Sequence, residues 1–483
     1  MTHTCRRPRA LTALLGTLPL LPALLLPGAS ATAAGPAGGS EARTAAYLET
    51  IRHDPARLAE FFHHLPKGGD LHHHLGGAVS TEWLVRSAAR QGLCVEAATL
   101  TAVRPPCARP GLRPASDART DTAFRTSLIR AWSMQDFPPD GPGHDHFFAT
   151  FGRFGEVIRH HRGLQLAEVA DSAVRQHQQY LETMVTPVPE AVHTLAAEVG
   201  WDPDLRRLHR RLTAGGRLDR LVAAARAEAD AADAEFRAAS RCDGDRPAPG
   251  CRLVVRWISH AHRNSPPEVV FTQLALGMAL AERDFRFVAV NLVEPEHGAV
   301  ALRDYRLHMR MTAELRRAYL GAHVTLHAGE LRPGLVKPED LAFHIRGAVE
   351  GAGAERVGHG VDLVHEDAWP TLVREMARRR VAVEVPFTSN AQILGVTGTE
   401  HPFTTYRAHG VPVVLATDDP GVSRTDISAQ YRQAATVYGL RYRELKDLAR
   451  ASLEHAFLPD RARAALQRRL ERAFTAFERR TGS

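Results

Sequence analysis

Residues 253–293 read LVVRWISHAHRNSPPEVVFTQLALGMALAERDFRFVAVNLV. A mostly apolar run (Leu253–Ser259) precedes Pro266-Pro267, a helical apolar pattern then continues to about Ala281, and a second run (Phe287–Val293) follows. Proline fits the first turn of a helix, and short apolar runs without alternation mark strands covered on both faces. The stretch therefore reads strand–helix–strand, the repeating unit of a parallel sheet.

Working outward, the same rhythm recurs. Further runs lie at Asp70–His74, Tyr180–Pro187, Ala322–His327, Arg356–Asp362, Val381–Pro386 and Val411–Asp418, with helices expected over Val300–Leu320, Pro338–Gly351 and Asp367–Arg379. Eight strands alternating with helices predict an α/β fold, the (β/α)8 TIM barrel. An extra N-terminal helix is expected over 45–64, helical insertions in the first half near 88–150 and 200–250, and C-terminal helices over 444–480. Residues 45–483 are thus expected to form one barrel domain, preceded by a flexible lead-in over 32–44.

Composition narrows the function. The 483 residues are 44% hydrophobic and 24% charged, ordinary for a globular chain and unlike collagenous or multi-span membrane proteins. The net charge of +7 falls to +4 without Arg6, Arg7 and Arg9, and no basic block interleaves with aromatics, so no nucleic-acid partner is expected. Those arginines belong to residues 1–31, which predict a secretory signal peptide: a basic start, an apolar stretch from Ala10 to Leu26, and small-residue sites for cleavage after about Ala31 or Ala33. Three prolines and a short apolar length argue against a membrane anchor, so a secreted protein without stable membrane association is expected. Cys94, Cys107, Cys242 and Cys251 remain after cleavage. An even number in an exported chain suggests two disulfides among three pairings; pairing 94–107 and 242–251 would staple two loops, each contributing about 2–3 kcal/mol. Their spacing does not suit a zinc site.

Four strand ends carry the chemistry. In Asp70-Leu71-His72-His73-His74, alternation on a strand places His72 and His74 on one face, aimed into the barrel, with His73 outward. Such a pair is half of a metal site. His327 and Glu330 end the next informative strand; His359 lies between glycines after Arg356-Val357; Asp418 and Asp419 follow Val411–Leu415. The carboxyl edge of such a barrel is where active sites form, and two adjacent buried carboxylates need positive charge nearby. Taken together, the four ends predict a metal centre of three imidazoles and a carboxylate. Asp70 either supports a metal histidine, caps the backbone or pairs with a nearby arginine, and Phe147, Phe148, Phe151 and Phe154, at helical spacing, are read as core.

In order, the motifs are PKGGDLHHHLGGA, HAGE, RVGHGVDL, VEVPFTSN and ATDDPGVSR, spanning Pro66 to Arg424, with SLEHAFLP at 452–459. They resemble the adenosine deaminase family of metal-dependent amidohydrolases, and the export signal and cysteines resemble its secreted adenosine deaminase growth factor branch and bacterial relatives. The resemblance implies that His72, His74, His327 and Asp418 hold one Zn(II) per chain, which makes a water nucleophilic near neutral pH. It further implies that His359 orients that water, that Glu330 gives a proton to the purine ring, and that Asp419 fixes the base. The expected activity is hydrolytic deamination of adenosine or 2′-deoxyadenosine to inosine or 2′-deoxyinosine, with a small purine nucleoside as partner and a homodimer as an open option.

Two positions depart from the family pattern. Gly76 stands where an aspartate contacts the sugar, and Glu294 stands where a glycine amide meets the purine. These put the preferred substrate in question and keep other readings open: adenine, a modified aminopurine or another C–N bond, or a catalytically silent binding protein on the same barrel.

Overall fold

A computed structural model describes residues 38–138 and 143–481. The expected signal peptide and its cleavage sites lie outside the described residues. Eight strands form one parallel sheet: β1 (Gly68–Asp70), β2 (Gln178–Val185), β3 (Val254–His262), β4 (Phe287–Val293), β5 (His323–Ala328), β6 (Arg356–His359), β7 (Ala382–Val385) and β8 (Val413–Leu415), paired in chain order. Closure comes just beyond the ends of β1 and β8, where Asp418 N donates to His72 O and His74 N donates to Asp418 O, each at 2.9 Å. This is the TIM barrel that eight alternating runs imply.

The quoted stretch shows why the barrel forms here. The helix Pro267–Arg283 is buried continuously from Val269 to Leu280, packs on β3 and β4, and is covered outside by the helices Pro189–Val199 and Arg217–Ala239. A helix apolar on every side needs that second cover. The insertion near 200–250 supplies the Arg217–Ala239 part of it and is closed by a Cys242–Cys251 disulfide with an S–S distance of 2.06 Å.

The structure differs from the sequence reading at several places. The insertion near 88–150 is helical over Thr81–Arg90, Thr122–Ala131 and Gly143–Ile158, but its middle is a three-stranded antiparallel sheet with Cys94–Glu96 between Ala102–Val103 and Leu112–Pro114. Val95, Thr101 and Val103 favour strands, and the Cys94–Cys107 bridge (S–S 2.02 Å) ties the sheet to its loop. The first helix starts at Gly38 rather than at 45, so residues 38–44 of the expected lead-in are helical. They are anchored: Thr44 is buried, and Lys446 bridges Glu41 (2.8 Å) and Glu478 (2.7 Å) on the C-terminal helix Asp460–Thr481. Over 338–351 a continuous helix is replaced by a 3₁₀ turn, Pro338–Asp340, and helical turns starting at His344. Glu366 sets that start by accepting from Ile345 N and Arg346 N. The C-terminal helices split at Pro459, which cannot continue Tyr442–Glu454.

Candidate metal centre and active-site cavity

β1 ends at Asp70, two residues short of His72, so the first histidines project from the segment that closes the barrel rather than from the strand itself. Asp70 shapes this segment with its carboxylate: one oxygen accepts from His72 N (3.2 Å) and the other from the Thr417 hydroxyl (2.6 Å). His73 is buried, with Nδ1 2.9 Å from Thr183 Oγ1 in the barrel wall. His72 and His74 instead face Asp418, with Nε2 3.3 Å and 3.2 Å from its Oδ1.

The other end groups turn into the same space through unusual backbone. His359 (φ 67°), Asp418 (φ 63°) and Glu294 (φ 77°) are all left-handed non-glycine residues at strand ends. Each such residue costs on the order of 1–3 kcal/mol and persists where the surroundings fix it. Two glycines make room: a Cβ on Gly358 would lie 2.4 Å from His72 Cε1, and one on Gly77 would lie 1.7 Å from Asp419 Oδ1. Side-chain partners then fix the rings. His72 Nδ1 lies 2.6 Å from Glu384 Oε2, and Glu384 is in turn gripped by the buried Arg356 and by Thr325. His327 Nδ1 lies 3.0 Å from Asn291 Oδ1, an atom already accepting from His327 N and Leu292 N, so Nδ1 must carry the proton. His359 Nδ1 lies 2.8 Å from Asn390 Oδ1. Ser389 Oγ donates to Asp418 Oδ2 at 2.6 Å.

Fixing Nδ1 on His72 and His327 leaves Nε2 as the free donor on each. His74 Nε2 lies 3.2 Å from His327 Nε2, and the Nε2 atoms of His72 and His359 are buried without a hydrogen-bond partner. Ligand atoms of His72, His327, His359 and Asp418 all lie within 4.8 Å of one another, and those of His74, Asp418 and Asp419 form a second such group. Imidazole nitrogens aimed at one carboxylate, with their far nitrogens tied to acceptors, suit a divalent transition metal such as zinc.

Beside this centre, Glu330 is held by its backbone: Gly329 N and Glu330 N donate to Glu296 (3.2 Å and 2.8 Å), which also contacts His344 Nδ1 at 2.6 Å. Burial, reinforced by the Asp418 and Glu296 charges, holds the Glu330 carboxyl well above the usual carboxylate range, which favours its protonated form. Burial pushes the Asp419 carboxyl up to about 8, opposed by His74 and supported by Asp418. Burial lowers His359 to about 4, leaving it a neutral imidazole.

His74, His327, Glu330, His359, Asp418 and Asp419 line one cavity of about 1200 Å³ that also receives Gly76, Glu294 and the faces of Phe148 and Phe151. Phe147 and Phe154 are core, as read from the sequence, whereas Phe148 and Phe151 are only partly buried against it. Sequence reading overlooked Glu384, Asn291, Asn390, Glu296 and Arg356. Glu384 did carry a signal, a carboxylate inside the apolar run Val383–Val385.

The profile of the adenosine deaminase family matches residues 133–473 of the chain. The chain belongs to that family. It is 38% identical over 154 residues to an adenosine deaminase of Salmonella typhimurium, covering 32% of this chain and 43% of the relative, so the match spans less than half of the relative's length. Among solved structures it resembles Arabidopsis ADAL complexed with IMP, with a TM-score of 0.57, 20% identity and coverage of 86% of this chain and 98% of that one. It also resembles an amidohydrolase from Burkholderia ambifaria with bound Zn, with a TM-score of 0.52, 19% identity and coverage of 88% and 94%. At these identities the two structures establish the shared barrel. The family is metal-dependent, and this chain's His/Asp group could hold a metal.

Proposed function

We propose that this protein is an exported, metal-dependent aminohydrolase that converts adenosine or 2′-deoxyadenosine into inosine or 2′-deoxyinosine with release of ammonia. The observation that carries the reading is the meeting of His72 and His74 at Asp418 Oδ1 (3.3 and 3.2 Å), with His327 Nε2 3.2 Å from His74 Nε2, beside a buried Glu330 and Asp419 on one cavity. The curated relative named adenosine deaminase and the Arabidopsis neighbour holding IMP, a 6-oxopurine, favour the same substrate class. Export rests on the first 31 residues and agrees with two disulfides, which persist outside reducing compartments.

His72, His74, His327 and Asp418 would hold one Zn(II). Such an ion supplies Lewis acidity that makes water a nucleophile at neutral pH. The remaining work falls to the protein. Glu330, protonated by burial, donates to a ring nitrogen of the purine, which weakens aromaticity and makes the neighbouring 6-carbon electrophilic. His359, its ring fixed by Asn390, faces Asp418 across 3.9 Å and handles the proton of the attacking water. Asp419, with Oδ1 buried and unpartnered, hydrogen-bonds the five-membered ring and sets the base's orientation. Glu330, His359, Asp418 and Asp419 are all buried, so they act at low effective dielectric. Initial rates of ammonia release from adenosine, 2′-deoxyadenosine, adenine and an N-substituted aminopurine test the reading. Release from either nucleoside, lost with chelator and restored with zinc, is expected; no release from any 6-aminopurine would refute it.

A further inference from the structure

Outward from the metal centre, the ends of β2, β3 and β4 present a row of polar side chains that the deamination step does not use. The His260 ring lies 6.1 Å from that of His74, and the His262 ring 5.2 Å beyond His260. Thr186 Oγ1 contacts Nε2 of both, at 3.2 Å for His262. Glu294 ends the row, with Oε1 3.0 Å from His262 Nδ1 and Oε2 accepting from Asn264 N at 2.9 Å. The facing wall is apolar, with Phe148, Phe151 and Ile158, and Gly76 carries no side chain; a Cβ there would meet Ile158 Cδ1 at 2.6 Å.

Two features single out Glu294. Its backbone is left-handed (φ 77°), a conformation glycine adopts without strain. A strained residue retained on a cavity wall marks a side chain with a role. Its carboxylate also lacks an arginine or lysine partner among the described residues, whereas the neighbouring acids Glu190 and Glu228 are neutralised by Arg159 (2.8 Å) and Arg162 (2.6 Å). Each carboxylate oxygen has one protein partner and further acceptor capacity toward the cavity. A purine whose reacting carbon sits at the inner end brings the group on its far ring to this row, two imidazoles away.

We propose that Glu294, held by His262, is the specificity-determining acceptor for a sugar hydroxyl of the nucleoside. This rests on the aminohydrolase reading above. A half-buried carboxylate on the cavity wall rewards a hydroxyl donor and loses that contact with a substrate lacking it, so the pair distinguishes nucleosides from free bases and from the corresponding deoxy analogue.

The test measures kcat/KM of wild type, Glu294→Gln and Glu294→Gly on adenosine and its 2′-, 3′- and 5′-deoxy analogues. Glu294→Gly removes the strain with the carboxylate, so its Tm is expected not to fall, which separates loss of function from loss of folding. On adenosine, and on the analogues that keep the hydroxyl, each variant is expected to lose about tenfold or more; on the one analogue that lacks it, the loss shrinks to less than about threefold. Equal losses on all four substrates, or none, would overturn the assignment. Wild type that deaminates no adenine nucleoside would instead overturn the aminohydrolase reading, and this proposal with it.

Discussion

The inner and outer ends of the cavity are built on different plans. At the inner end, His72, His74, His327, Glu330, His359, Asp418 and Asp419 all sit within a few residues of a strand end, Glu330 and His359 beside a glycine, and His72, His327, His359 and Asp418 are locked by Glu384, Asn291, Asn390 and Ser389. At the outer end, β2–β4 supply one wall and the helix Gly143–Ile158 the other. Its charged groups are tied mostly to one another, as in Arg159–Glu190 and Arg162–Glu228. The inner end is held by hydrogen bonds from Glu384, Asn291, Asn390 and Ser389 to the site's rings and carboxylate, which leave the ligand-facing atoms of His72 and His359 free for an ion. The outer end tolerates changes in side chain because its apolar contacts are individually small. The inner end should therefore govern turnover, and the outer end substrate choice.

The largest expected effect is at the inner end. Glu330→Gln keeps the side-chain volume but removes the acid, and kcat should fall by roughly 10²–10⁴-fold with metal content unchanged. Steady-state kinetics with metal analysis of the same sample checks both halves. Retained turnover would remove the proton-donor role and blur the contrast between the two ends. The protonated carboxyl is the working form, so activity should persist below the raised Glu330 pKa and decline as pH rises through it.

A smaller effect should follow from loosening a ligand's support. Glu384→Gln weakens the contact on His72 Nδ1 and leaves Arg356 facing a neutral amide. Metal affinity should drop about 10–100-fold, measurable by competition with a chelator. Unchanged affinity would mean that His72 is fixed by the Gly358 packing alone.

The smallest effect belongs to the outer wall. Phe148→Ala removes an apolar face from the cavity, and KM should rise about tenfold while kcat and the pH profile stay close to wild type. A kcat loss matching the rise in KM would show that the helix Gly143–Ile158 positions the reacting end as well, erasing the comparison.

How much of this was legible in the sequence follows the same division. The barrel was readable because β2–β8 are short apolar runs separated by helices with clear proline starts, as at Pro266-Pro267. The four strand ends could be picked out because histidines and carboxylates rarely close apolar runs without a partner. What joined them was not readable: Asn291 and Asn390 are ordinary residues in sequence, and their contacts with His327 and His359 cross 36 and 31 positions. Cys94–Glu96 and its neighbours were read as a stapled loop within a helical insertion, since strands of two or three residues leave almost no periodic trace. The helix Gly38–Ile51 began earlier than read because its anchor, Lys446, lies at the other end of the chain.

The central claim is that distant strand ends meet around one divalent ion, and metal analysis of wild type beside Asp418→Ala tests it most directly. The account predicts about one equivalent of zinc or a similar divalent ion per folded wild-type chain, and its loss from an Asp418→Ala protein that keeps its native circular dichroism. An Asp418→Ala protein that binds the ion as tightly as wild type would contradict it.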